Sequence, residues 1–565
     1  MLSDNLISLY KKSFYKNWER TALSNYEGAS YTTQQVATEI AKLHLLYERC
    51  GIQRGDKIAV MGKDTAEWVI IFMSAITYGA IIVPILQDFA PADATSILNH
   101  SESKILFINH SLWSNLQAQQ LPQLRYAMGI QERSALYAEE SLSPLEDLLA
   151  SLEGEFAKRY PKGYAPSDLN YYETPNEQLI LLNYTSGTTG FSKGVMVTGG
   201  NIAGNVLWCR DNHIVSSSDR LLSFLPLAHT YGCMINVLLA LMIGVHVTFL
   251  GKAPTPSILR GAFKKVRPSI IISVPLVIEK IYLNTIAPLL KTTKMKLMLA
   301  IPGLRNIIYR KICDQLLQGM GGEARLVIVG GAALNPEIGA FFKKIGFPIS
   351  VGYGMTECAP LICFTPDPKA YRLGSCGQPL QNYMEVRIAP TEDEHGNPLN
   401  RRDEKGLPVG EIQTRGTNTC IGYYKNEEHT QALFTEDGWL RTGDLGTMDA
   451  DGFVYIKGRS KTMLLGPNGQ NIYPEEIEAK LSLLPYVQEC LVLMRNGKLE
   501  ALIHLNQQAI EAANISTEEA WKELLGLRAE LNSQLGNFEQ VIRFEQHPEP
   551  FAKTPKQSIK RFMYK

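Results

Sequence analysis

One glycine- and hydroxyl-rich stretch constrains this chain more than any other. Leu179-Ile180-Leu181-Leu182 is a short apolar run of the kind that forms a buried strand. Tyr184-Thr185-Ser186-Gly187-Thr188-Thr189-Gly190-Phe191-Ser192-Lys193-Gly194 follows, and it runs into Val195-Met196-Val197. The stretch is therefore a loop between ordered segments. Its three glycines let the backbone take up positive φ and approach a ligand, while successive N–H groups, five threonine or serine hydroxyls and Lys193 offer donors to an anion. That chemistry suits a polyphosphate. No Gly-Lys-Ser/Thr closes the loop, so the Walker pattern fails on spacing.

A chain of 565 residues exceeds what one core supports, and two or more domains are expected. With 56 basic and 56 acidic residues the net charge is zero, which argues against nucleic acid as the main partner. The nine cysteines form no CxxC pair or other metal-ligand spacing, and read as small buried hydrophobes of a reducing, cytoplasmic setting. The first residues carry Asp4 early and lack a signal-peptide pattern. Residues 68–86 are mostly apolar and nearly long enough to span a bilayer, but Gly79 and the β-branched Ile81-Ile82-Val83 split them. A helix packed on a parallel sheet explains that split, so no transmembrane span is expected; peripheral contact with a membrane is left open.

Residues 57–61 and 104–108 read as strands around an amphipathic helix at 66–78, which implies βαβ units and a parallel sheet. Residues 201–210 read as helix, and 221–225 as a strand ending in the turn that carries His229. A long helical region with a Lys- and Arg-studded face is expected over 283–319. The run 325–334 is a strand ending at Gly330-Gly331, before a helix begun by Asn335-Pro336-Glu337. Ligands sit at such carboxyl ends of strands. Asp449-Ala450-Asp451-Gly452 starts like a calcium loop but has no glutamate at the twelfth position, and reads as a β-turn. Near the end, strands over 489–494 and 499–505 and a helix over 517–535 outline a small α+β domain.

Thr185-Ser186-Gly187-Thr188-Thr189-Gly190, then Lys193-Gly194-Val195, resembles the phosphate loop of the AMP-forming acyl-adenylating superfamily of acyl-CoA synthetases, acyl-AMP ligases, peptide-synthetase adenylation domains and luciferases. Ser192 stands where members usually carry a proline, which would only stiffen the loop. Tyr353-Gly354-Met355-Thr356-Glu357 is a second signature. An aromatic there can stack on adenine, Thr356 can bond a phosphate oxygen, and Glu357, with Thr185, supplies hard oxygen ligands for Mg²⁺. The resemblance implies that Gly331 and Ala332 lie along the adenine and acyl group and that His229 positions substrate. It also gives the ribose hydroxyls to Asp444, ribose or phosphate to Arg459, and the pivot of a hinge to Lys461. The expected fold is α/β: a large domain of doubly wound parallel sheets with a small β-barrel-like subdomain (1–457), a hinge (458–461), and a small mobile α+β domain (462–565).

The superfamily normally ends with a lysine that bridges the substrate carboxylate and the α-phosphate. Aligning Thr554 and Arg561 with that pattern puts Ser558 at its position, and Lys556, on the same strand face, is assigned the role. A solvated basic tail of Lys553, Lys556 and Lys560 is the bland alternative. The segment 270–282 resembles long-chain acyl-CoA synthetases. The resemblance therefore implies ATP-dependent activation of a fatty, long-chain carboxylate to acyl-AMP and transfer to CoA, with ATP, Mg²⁺ and CoA as requirements. A fatty acyl-AMP ligase delivering to acyl carrier protein is the runner-up, and a nucleotide-binding homologue without turnover stays open because of Ser558. Peptide-synthetase adenylation is disfavoured, since no carrier domain follows.

Overall fold

Strands as uniformly apolar as Ile81–Ile85, buried at all five positions, need cover on both faces, which a parallel sheet flanked by helices provides. The computed structural model describes residues 4–185, 192–392, 398–399, 401–460, 462–465, 471–495, 497–536, 539–554 and 558–564. It holds two seven-stranded sheets. Across the first, the order is Ala135–Ala138, Tyr126–Gly129, Ser103–Ile108, Lys57–Met61, Ile81–Ile85, Leu179–Thr185 and Lys193–Thr198. The inner five run parallel and each outer strand is antiparallel to its neighbour. Across the second, the order is Ile349–Val351, Leu326–Val329, Ile270–Ser273, Arg220–Ser223, His246–Phe249, Thr21–Asn25 and Ser30–Thr32. Here only Ser30–Thr32 is antiparallel.

The helix Ala66–Tyr78 departs from the amphipathic expectation: eleven of its thirteen residues are buried. Neighbouring elements cover it all round, and Trp68 stacks on Phe72 at 5.5 Å. Thr65 caps its first turn by accepting from Trp68 N–H, and Gly79, at φ 91°, ends it in a left-handed turn that only glycine adopts without cost. The apolar run is thus a core helix followed by a strand. Among the described residues no helix is long and apolar enough to cross a membrane. The helical region expected over 283–319 is likewise broken, into Ala287–Lys291, Thr293–Ala300 and Pro302–Gly319. Ile301 precedes Pro302 and is forced to extended backbone, φ −88° and ψ 112°, which ends one helix and starts the next.

The third part of the large domain is an antiparallel sheet in the order Met384–Ala389, Pro408–Gly416, Leu440–Met448, Val454–Arg459, with Arg401–Arg402 pairing along Pro408–Gly416. Asp449–Gly452 is a turn in it, with Arg372 bridging both carboxylates, to Asp449 at 2.8 Å and Asp451 at 2.6 Å. Its core is continuous with that of the two sheets, a cluster running from Leu6 to Val454. A separate cluster begins at Ile472 and ends at Phe544. It belongs to a small α+β domain in which Val487–Arg495 pairs antiparallel with Lys498–Leu505, and Val541–Gln546 adds a parallel third strand that the sequence did not suggest. The helix expected over 517–535 is two, Thr517–Gly526 and Arg528–Ser533. All nine cysteines are free and buried.

Candidate active site

The glycine-rich stretch closes a hairpin. Thr185 ends one strand directly opposite Lys193, which begins the next; Ser186, Gly187, Thr188 and Thr189 lie outside the described residues. A segment from the antiparallel subdomain docks along the second strand: Met196 N–H donates to Gly422 O at 2.9 Å, Ile421 N–H to Met196 O at 3.2 Å and Tyr424 N–H to Gly194 O at 2.8 Å. This backbone pairing puts the Tyr423 ring 5.1 Å from Lys193 Nζ. The hydroxyl of the same tyrosine donates to Glu357 Oε1 at 2.7 Å. Burial, reinforced by the Glu357 charge, pushes the Tyr423 hydroxyl far above its ordinary pKa, so it stays a donor at any working pH. One tyrosine thus ties the loop lysine to the carboxylate of the second signature.

Four residues before Glu357, Tyr353 donates its hydroxyl to Asp444 Oδ2 at 2.7 Å. Arg459 Nε stands 3.1 Å from Asp444 Oδ1. Burial raises the Asp444 pKa and the Arg459 charge offsets part of that rise. The hairpin, the segment 353–357 that follows the second sheet and the antiparallel subdomain are therefore joined, by a cation–ring contact from Lys193 to Tyr423 and by short polar contacts from Tyr423 to Glu357 and from Tyr353 to Asp444 and on to Arg459.

Beside them runs a cleft lined by His229, Gly331, Tyr353, Gly354 and Thr356 together with apolar Ile214, Met234, Ile235, Ile328, Leu361 and Phe364. Gly354 has no room for a side chain, because a Cβ there would lie 2.0 Å from Pro360 O. Ala332 is exposed next to the cleft rather than in its wall. His229 caps the short helix Thr230–Cys233, its Nδ1 accepting from Tyr231 N–H at 3.2 Å. Lys461 and Lys556 lie outside the described residues.

The turn that carries His229 is fastened by Asp64, whose Oδ1 accepts Leu227 N–H at 2.9 Å. Burial raises the Asp64 carboxyl to about 7, the backbone bond and nearby Asp88 modifying that rise. A carboxyl whose folded pKa exceeds its unfolded value of 3.8 favours the fold fully below 3.8, and that contribution is lost as pH rises through about 7. Asp64→Asn keeps the acceptor and removes the titration. The variant is expected to gain about 1–2 kcal/mol over the parent chain between pH 5 and pH 8, allowing for partial solvent contact. Urea denaturation at both values reads it; parallel pH profiles would rule the titration out.

Sequence reasoning missed Tyr423 and Asp64. Nothing local in the sequence tells that the Tyr423 hydroxyl meets Glu357. For a magnesium ion, the described residues hold no cluster of three or more His, Cys, Asp or Glu that would form an all-protein cage. They do offer the buried Glu357 carboxylate beside the hairpin. A hard cation that keeps waters and takes its other ligands from phosphates fits that donor set.

The profile of a family described as AMP-binding enzyme matches residues 11–424. The long-chain-fatty-acid–CoA ligase FadD15 of Mycobacterium bovis is 28% identical over 510 residues, covering 85% of this chain and 78% of that relative. The sulfoacetate–CoA ligase of Cupriavidus necator is 29% identical over 472 residues, covering 83% and 80%. Among solved structures, an anthranilate CoA ligase in complex with anthranoyl-AMP superposes with a TM-score of 0.77 at 22% identity, over 100% of this chain and 97% of that one.

Proposed function

The chain belongs to the AMP-binding enzyme family, and on that premise we propose that it activates a fatty, long-chain carboxylate with ATP and passes the acyl group to CoA. The single observation that carries this reading is the convergence of Lys193, Glu357 and Asp444, through Tyr423 and Tyr353, beside a largely apolar cleft. In the first half-reaction a carboxylate oxygen bonds to the α-phosphorus of ATP and the bond to pyrophosphate breaks. Lys193, with Thr185, Ser186, Gly187, Thr188 and Thr189 of the loop, neutralises charge on the phosphoryl oxygens, and Thr356 adds a donor. Asp444 accepts from the ribose hydroxyls beside Arg459, while Tyr353, Gly354, Gly331 and Ala332 flank the adenine. His229 orients the acid. A bound Mg²⁺, held by Glu357 and Thr185, would supply further charge neutralisation at the phosphates.

In the second half-reaction the CoA thiolate attacks the acyl carbon and AMP departs. We assign residues 458–461 as the hinge, with Lys461 its pivot, because one apolar core ends at Val454 and the next starts at Ile472. Rotation there exchanges the groups facing the cleft and breaks the bond from Asn335 Nδ2 to Ala479 O, 2.6 Å long. The relatives named above are CoA ligases, which favours CoA over a carrier protein as acceptor.

The apolar lining favours an alkyl chain. Thr230 Oγ1, buried in the same wall with no hydrogen-bond partner among the described residues, favours as second reading an acid that carries a polar group. Carboxylate-dependent exchange of labelled pyrophosphate into ATP, run over acids from acetate to palmitate, hydroxylated analogues included, tests both. Palmitate is expected to give the fastest exchange, and AMP release to require CoA. No exchange with any acid would retire the enzymatic reading and leave a nucleotide-binding homologue.

A further inference from the structure

The helices that follow the Ile270–Ser273 strand carry an unusual surface. Leu276, Leu289, Leu297, Ile301 and Ile307 are 40% to 66% exposed, five of the twelve exposed large hydrophobics among the described residues. Burial of the core does not account for them. Helix Pro302–Gly319 already buries its own stripe at Ile308, Ile312 and Cys313, and Ile307 points away from it. Clustered apolar exposure of this kind marks a docking face rather than ordinary surface scatter.

The charge around it is one-sided. Between Glu279 and Asp314 the sequence has seven lysines and arginines, from Lys280 to Lys311, and no aspartate or glutamate, in a chain whose net charge is zero. All seven are exposed. Among the described residues no ion pair joins any of them to a carboxylate. The spacing interleaves the two kinds of side chain: Leu297 follows Lys294 by one turn in the helix Thr293–Ala300, and Arg310 and Lys311 follow Ile307 by one turn in Pro302–Gly319. Exposed aliphatics flanked by unpaired cations on short helices are the composition of an interfacial surface, in which the apolar groups enter the acyl boundary and the cations meet anionic headgroups.

We propose that the face formed by residues 276–311 docks on an anionic lipid membrane. The occupant follows from charge complementarity: the strip of uncompensated cations matches a negatively charged surface, whereas a second copy of this face would bring like charges together. The docking face is also continuous with the site. The helix Pro275–Ile281 leaves its strand at Val274, which stands beside Gly331 of the cleft wall. The inference goes beyond the reaction proposed above and requires neither ATP nor a particular acid.

Sedimentation of the full-length chain with extruded vesicles tests it. Binding is expected to equimolar phosphatidylglycerol and phosphatidylcholine at low salt, to weaken as salt is added, and to be at least tenfold weaker on phosphatidylcholine alone. The triple variants Leu297→Ser/Ile301→Ser/Ile307→Ser and Lys291→Glu/Lys294→Glu/Lys296→Glu should each lower the bound fraction at least tenfold, with unchanged circular dichroism and unchanged pyrophosphate exchange in detergent-free buffer. Equal binding by both variants, or none by the parent chain, would overturn the proposal. So would conversion of a dimer to a monomer by the serine variant without any vesicle binding, which would give the face to a second copy. Because vesicle binding is read without substrate, failure here leaves the catalytic reading intact, and the reverse holds.

Discussion

Replacing Glu357 by glutamine is expected to lower carboxylate-dependent pyrophosphate exchange by roughly two to three orders of magnitude, as loss of a preorganised electrostatic group at a phosphoryl centre does. Glutamine keeps the volume and an acceptor for the Tyr423 hydroxyl, so the fold around the 2.7 Å contact should survive, and the loss would report charge rather than packing. Tyr423→Phe keeps the ring beneath Lys193 and removes only the hydroxyl that holds Glu357. Its expected cost is about tenfold, the scale of one hydrogen bond to a charged group. The two residues act on the same carboxylate, so the double variant should be no slower than Glu357→Gln alone. Additive losses would separate Tyr423 from Glu357, and a Glu357→Gln enzyme with parental exchange would remove the carboxylate from the chemistry.

The second large effect is expected at Lys556. Two other cations of the tail are occupied: Lys553 Nζ lies 2.5 Å from Glu489 Oε1, and Arg561 is held by Glu478 with Glu475 at 3.9 Å. Two backbone bonds link the described residues of this segment, Thr554 N–H donating to Ser558 O at 2.8 Å and Lys560 N–H to Ala552 O at 2.8 Å. These pairs weaken the idea of a merely solvated basic tail for Lys553, while Ser558 brings no charge to the position where the superfamily's lysine is expected. Lys556→Ala should therefore lower adenylation by about a hundredfold, the range for loss of a positioned charge, and leave thioester formation from preformed acyl-AMP near the parental rate. Lys560→Ala should change neither half-reaction by more than about twofold. Lys553→Ala should cost about 1 kcal/mol of stability through its partly exposed ion pair. Equal adenylation rates in the Lys556→Ala and Lys560→Ala chains would end the assignment.

Much of the frame was legible because its signals are local. The strand expected at 57–61 is Lys57–Met61, and the split of the apolar run at Gly79 is a helix cap followed by a strand. Apolar periodicity and glycine turns act over a few residues, so one sequence displays them. Burial of a helix on every side is not local. Ala66–Tyr78 looked amphipathic, but whether Ser74 and Thr77 face water or a second layer depends on what packs above them, and both are fully buried. The break at Ile301 was written in Pro302, yet the strong helical composition on either side masked it.

By itself, then, the sequence determined the inventory of groups and the order of strands and turns that present them: a glycine-rich loop with Lys193, a signature ending in Glu357, and Asp444 flanked by Gly443 and Gly446. Residue type and short-range backbone preference fix such features. Only the tertiary structure decided that these groups meet, and through which intermediaries. Tyr423 reaches Glu357 across 66 positions and Tyr353 reaches Asp444 across 91, contacts made because a segment of one subdomain pairs with an edge strand of another. Periods of 2 and 3.6 residues carry no information over such distances; sheet topology and the burial that drives it do.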